Sequence, residues 1–72
     1  MSSQITVQLN GTAHTLDAGT SLASLLADAG IGPDRRGVAV AVGDEVVRRA
    51  EWSERVLSDG DHVEVVTATQ GG

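Results

Sequence analysis

The chain contains no cysteine and no lysine, and Trp52 is its only aromatic residue. The absence of cysteine excludes disulfide bonds, cysteine-based zinc sites and thiol nucleophiles. The absence of lysine excludes chains of copies joined through lysine side chains. With a single aromatic residue, the core must consist mainly of aliphatic side chains.

Long apolar runs are also missing. No stretch approaches the ~18 apolar residues of a membrane span. Residues 1–4 have neither the basic start nor the apolar stretch of a signal peptide. We therefore expect a cytoplasmic protein without a membrane partner.

Size and charge narrow the function classes further. A chain of 72 residues has room for one domain and no deep enzyme pocket, so we expect a protein that is not itself an enzyme. The net charge of −5, with only five basic residues, argues against a nucleic-acid partner. We expect the free protein to be a monomer.

The first secondary-structure signal is a hairpin. Ile5, Val7 and Leu9 alternate with polar residues, as in a strand with one buried face. Asn10 and Gly11 follow, and this pair favours a two-residue turn because both residues tolerate positive φ. The predicted cross-strand pairs are Leu9 with Thr12, Val7 with His14 and Ile5 with Leu16.

A helix is predicted next, from Ser21 as its N-cap through Ala29. Gly30 fits the left-handed position that terminates a helix. The spacing i, i+3, i+4, i+7 predicts one buried face. That face comprises Leu22, Leu25, Leu26 and Ala29.

Three further strands are predicted. Residues 38–42 are apolar without polar alternation, which predicts a central strand covered on both faces or nearly so. A brief strand at Val46-Val47 follows. The last strand covers 62–67, with Val63 and Val65 inward. The helical crossover allows the first and last strands to lie parallel and adjacent, which gives an α+β fold with a mixed sheet of four to five strands.

We interpret the two histidines and the tryptophan as structural residues and not as parts of a site. His14 and His62 lie on different predicted strands without a third ligand, so we expect no metal site. His14 fits a half-buried packing residue. Trp52 fits an anchor that holds an irregular loop to the core.

The C-terminal residues carry the most informative pattern. Gln70 is followed by Gly71 and Gly72, two residues without a Cβ. Such a segment can pass through a channel too narrow for other residues. We predict a domain over 1–68 and a flexible tail over 69–72.

These features together resemble the ubiquitin-like sulfur carrier family, and in particular the carriers of thiamine thiazole biosynthesis. The resemblance covers the whole chain and implies a ubiquitin-like β-grasp fold. One departure is Arg48, where many relatives have proline. The matching segments are Leu9-Asn10-Gly11, Ala18-Gly19, Val46-Val47-Arg48 with Trp52, Asp59-Gly60-Asp61 and Gly71-Gly72.

The resemblance implies a reaction at the Gly72 carboxylate. A partner adenylating (E1-like) enzyme would activate it with ATP, and a cysteine-desulfurase or sulfurtransferase donor would convert it to a thiocarboxylate. A thiazole synthase would accept the sulfur. The carrier itself would need no cofactor, because the partner would bind ATP and metal. Since the chain lacks cysteine, the sulfur must travel at the terminus.

Docking is expected on the outer face of the sheet. Glu64 and Val66 alternate with the inward valines of the last strand, so Val66 is a predicted exposed aliphatic residue close to the tail. Arg48 and Arg49 are predicted to flank this face.

Two alternatives stay open. The chain could carry sulfur for another pathway, such as molybdopterin or amino-acid sulfur metabolism. It could also be a non-catalytic ubiquitin-like binding module, which would need the sheet face but no free Gly72 carboxylate.

Overall fold

The computed structural model describes residues 3–32 and 34–67. Within them the chain forms a five-stranded sheet, one α-helix and a short 3₁₀ turn at Arg49–Glu51. The predicted division at residue 68 lies outside the described residues. The elements are β1 (Gln4–Leu9), β2 (Thr12–Asp17), α1 (Leu22–Asp28), β3 (Val38–Val42), β4 (Glu45–Val47) and β5 (His62–Thr67).

The sheet order is β2-β1-β5-β3-β4. β1 and β5 pair in parallel, whereas the other neighbouring strands are antiparallel. The predicted adjacency of the first and last strands is therefore confirmed. The last strand of the chain occupies the middle of the sheet.

The β1–β2 hairpin has the predicted register, with Leu9 opposite Thr12 and Ile5 opposite Leu16. Asn10 and Gly11 form the turn with φ of 51° and 85°. These left-handed angles explain why the turn needs asparagine and glycine. His14 is half-buried, as its position between apolar neighbours predicts.

Helix α1 packs on one side of the sheet through its leucines. Ser21 caps it, since the Ser21 side chain accepts a hydrogen bond from the Ser24 N–H at 3.2 Å. Gly30 ends it with φ of 87°, as predicted. Ala29 was expected in the buried face but is exposed, because it is the C-cap residue at the end of the last turn.

The core lies between α1 and the sheet and is almost entirely aliphatic. Trp52 is buried in it and donates its indole N–H to the Val47 carbonyl at 3.1 Å. The expectation of a loop anchor is confirmed. The buried residues are Val7, Leu9, Leu22, Leu25, Leu26, Val40, Val42, Val47, Trp52, Leu57 and Val63.

One expectation for β3 is wrong. β3 lies inside the sheet, between β5 and β4, but it is covered on one face only. Val40 and Val42 are buried, whereas Ala39 is exposed and Ala41 is half-buried. The apolar run thus alternates large inward and small outward side chains, and none of the elements that the structure describes covers the alanines.

None of the described residues forms a helix long and apolar enough to cross a membrane. The single helix described has seven residues.

Candidate functional site

The predicted reactive end, Gln70, Gly71 and Gly72, lies outside the described residues. The structure does describe the strand that leads to it. β5 ends at Thr67, which pairs with Val38 at the start of β3. The C-terminal residues therefore follow directly from the central strand of the sheet.

The outer face, defined as the side of the sheet away from α1, carries the predicted docking residues of β5. Glu64 and Val66 are exposed, Val63 is buried and Val65 is half-buried, as the alternation predicts. Their neighbours on β3 are short, because Glu64 pairs with Ala41 and Val66 pairs with Ala39. On the other side of β3, Val46 pairs with Ala41.

This arrangement creates an apolar depression of about 180 Å³. The two alanines form its floor, since their side chains end at Cβ. Val46 and Val66 border it and are 70% and 64% exposed. Apolar area left open in this way is typical of a protein-binding surface. The lining residues are Ala39, Val40, Ala41, Val46, Glu64 and Val66.

Glu64 also borders a second, more polar depression of about 490 Å³. His62 and Asp44 line it together with residues of the Asn10-Gly11 turn. The two depressions adjoin at Glu64, so the outer face passes from a polar to an apolar region along β5. Across residues 3–32 and 34–67, no three His, Asp or Glu side chains come together as metal ligands.

Arg48 follows β4 directly and is exposed. It is not among the residues that line either depression. The structure thus brings Glu64 and Val66 together and places Arg48 beyond the end of the neighbouring edge strand. The sequence analysis did not assign Ala39, Ala41 and Val46 to the docking face. The alternation of valine and alanine over 38–42 could have indicated that the alanines face outward.

The sheet topology, with a parallel central pair and one helix across one face, defines a ubiquitin-like β-grasp protein. The crystal structure of thiamine biosynthesis protein ThiS from Geobacter metallireducens matches with a TM-score of 0.75. The match has 26% sequence identity and covers 94% of this chain and 100% of that chain.

The chain belongs to the ThiS family, whose model matches residues 7–72. Sulfur carrier protein ThiS from Thermus thermophilus is 41% identical over 66 residues, which cover 92% of this chain and 98% of that protein. A thiazole synthase from Magnetococcus marinus is 39% identical over 66 residues. The chain spans only 20% of that longer protein.

Proposed function

We propose that this chain is a sulfur carrier of thiamine biosynthesis and that it serves as a protein substrate, not as an enzyme. The observation that carries this proposal is the match to the ThiS family through residue 72, the second of the two terminal glycines. The resemblance inferred from the sequence leads to the same function. A folded body with an outer face suited to docking supports it.

The chemistry is proposed to occur at the main-chain carboxylate of Gly72. A carboxylate resists nucleophilic attack until one oxygen becomes a good leaving group. In the first step the carboxylate attacks the α-phosphorus of ATP, pyrophosphate leaves and an acyl-adenylate forms. The glycyl carbonyl has no side chain beside it, so the next nucleophile approaches without hindrance.

Sulfur then replaces the adenylate. The terminal sulfur of a donor persulfide attacks the acyl carbon and AMP leaves, which gives an acyl disulfide. A second thiol reduces this disulfide and releases the thiocarboxylate. Residues 1–72 contain no cysteine, so neither thiol comes from them.

The folded body is proposed to present this terminus to its partners. An adenylating enzyme supplies the nucleotide site, the metal and the charge stabilisation, so the carrier holds no cofactor of its own. Docking uses the outer face through Val66 and Glu64, with Arg48 at its border. Thiazole synthase is the proposed acceptor, in keeping with the similar segment inside the Magnetococcus marinus thiazole synthase.

Intact mass spectrometry tests this proposal. The chain is incubated with an adenylating enzyme, ATP and a persulfide donor. We expect a gain of about 16 Da at Gly72, the difference between sulfur and oxygen. A chain amidated at Gly72 is the control and should gain nothing. An unchanged mass with each adenylating enzyme of the source organism would contradict the proposal, and docking that survives amidation would then favour a binding module.

A further inference from the structure

Four of the five arginines lie at one end of the sheet, the end where β5 leads into the C-terminal residues. The strand register establishes this position. Val38 at the start of β3 pairs with Thr67 at the end of β5, and Val47 at the end of β4 pairs with Val40. The segment just before β3 therefore lies next to Thr67, and the segment just after β4 lies at the same end of the sheet, on the other side of β3. These segments contain Arg35, Arg36, Arg48 and Arg49, which we call the arginine cluster.

The cluster is attached to the rigid core. Arg49 donates a guanidinium hydrogen bond to the Arg35 carbonyl, which joins the two segments. The Arg49 guanidinium also lies 5.3 Å from the centroid of the Trp52 ring, a cation–π distance. Trp52 is buried, so the Arg49 guanidinium lies against a core residue and ties the Arg35 backbone to it.

The charges of the cluster are available to a partner. All four arginines are exposed, and none forms an ion pair with a carboxylate among residues 3–32 and 34–67. Arg55, the remaining arginine, differs because it pairs with Glu45 at 2.8 Å.

Many of the carboxylates lie at the opposite end of the sheet from the arginine cluster. The net charge is −5, yet half of the ten acidic residues lie at the far end of the strands, near the start of β5. Residues 34–36 and 48–51 together carry four arginines and two carboxylates, Asp34 and Glu51, so these segments keep a net charge of +2 and the molecule is polarised along the strand direction. The five acidic residues are Asp17, Asp44, Glu45, Asp59 and Asp61.

We propose that the arginine cluster binds an acidic protein surface on the adenylating enzyme, beside the opening that receives the C-terminal residues. This inference rests on the proposed function. An acidic surface repels most of this negatively charged chain. It attracts the end of the sheet that carries the arginine cluster, from which the C-terminal residues continue. The field thus selects the productive orientation during encounter.

The reach of the tail favours a protein surface over the nucleotide as the anion. Residues 68–72 connect Thr67 to Gly72, and a partner channel that held them extended would place Gly72 roughly 17 Å from Thr67. An arginine side chain beside Thr67 is too short to bridge that distance to phosphates at Gly72. A narrow channel would also keep the folded body outside, with the cluster at its rim.

The test is carrier-dependent ATP–pyrophosphate exchange by the adenylating enzyme, measured with the full chain at low ionic strength and at about 0.15 M salt. The variant is R36Q/R48Q, which leaves the Arg49 contacts in place. R55Q is the control for removing an arginine charge outside the cluster, and it removes one charge where R36Q/R48Q removes two. Melting temperatures establish that each variant is folded.

We expect R36Q/R48Q to raise the KM for the carrier roughly tenfold at low salt, with kcat unchanged and a weaker salt dependence. R55Q should leave KM and kcat unchanged. An equal KM for wild type, R36Q/R48Q and R55Q would overturn the inference while exchange by the wild type upheld the proposed function. A lower kcat for R36Q/R48Q with an unchanged KM would also overturn the inference, because it would indicate that the arginines act at the nucleotide. Absence of wild-type exchange would reject both proposals.

Discussion

The Asn10 side chain forms two hydrogen bonds with the backbone of Val65. Its Oδ1 accepts from the Val65 N–H at 2.8 Å, and its Nδ2 donates to the Val65 carbonyl at 3.4 Å. The carboxamide takes the place that a peptide group of β1 would occupy if that strand did not turn. Asn10 therefore closes the hairpin and extends the parallel pairing of β1 with β5.

Asn10→Ala should lower the free energy of unfolding by about 1 to 3 kcal/mol, since it leaves Val65 without these partners and places an alanine at positive φ. Asn10→Asp keeps the acceptor and the tolerance of positive φ, so it should cost less. Urea unfolding followed by circular dichroism measures both. An alanine variant as stable as wild type would show that this contact contributes little.

Trp52 offers a second stability prediction. Trp52→Phe retains most of the packing but removes the indole N–H that the Val47 carbonyl accepts, so we expect a loss of about 1 to 3 kcal/mol. Trp52→Ala should cost about 3 to 5 kcal/mol because it also opens a cavity. Chemical unfolding gives both values. Equal losses of unfolding free energy for the two variants would mean that the packing of the Trp52 ring contributes little to stability.

Val66→Asp tests the outer face. Val66 is 64% exposed, so we expect a change in unfolding free energy within about 0.5 kcal/mol but weaker binding to the adenylating enzyme. Val56→Asp is the matched control, because Val56 is 55% exposed and bridges to Ser21 away from the outer face. Titration calorimetry compares them. Equal affinity for the Val66 variant and wild type would remove Val66 from the interface.

Deleting Gly72 tests the reactive terminus. We expect adenylation to be abolished because the carboxylate then falls one residue short of its position in the partner. The melting temperature should stay close to that of wild type, since the core lies within residues 7–63. Exchange assays and thermal unfolding on the same preparation separate the two effects. Thiocarboxylate formation at the normal rate would reject the assignment of Gly72.

Much of the fold was predictable because local signals agreed with the tertiary structure. The Asn10-Gly11 pair set the hairpin register, and Ser21 and Gly30 marked the ends of α1. Sequence periodicity failed for β3, where alanine is compatible with either a buried or an open position. Only the tertiary structure reveals that no element within residues 3–32 and 34–67 covers the outer face.

The candidate site was predictable in part. Strand alternation predicted that Glu64 and Val66 face outward, and the structure confirms this. Arg48 and Arg49 were predicted to flank the outer face, but their proximity to residues 35–36 could not be predicted because it depends on the register of three strands. The roles of Gln70, Gly71 and Gly72 remain predictions from the sequence and the family.

The central position of β5 also affects how the protein is made. β1 obtains its second neighbour only from β5, and β3 needs β5 to join the hairpin to the rest of the sheet. During translation the hydrophobic core cannot close until residues 62–67 have left the ribosome. Nascent chains that stop earlier should stay unfolded and be degraded by proteases. Proteolysis of unfolded chains therefore also removes most chains that lack the C-terminal glycines.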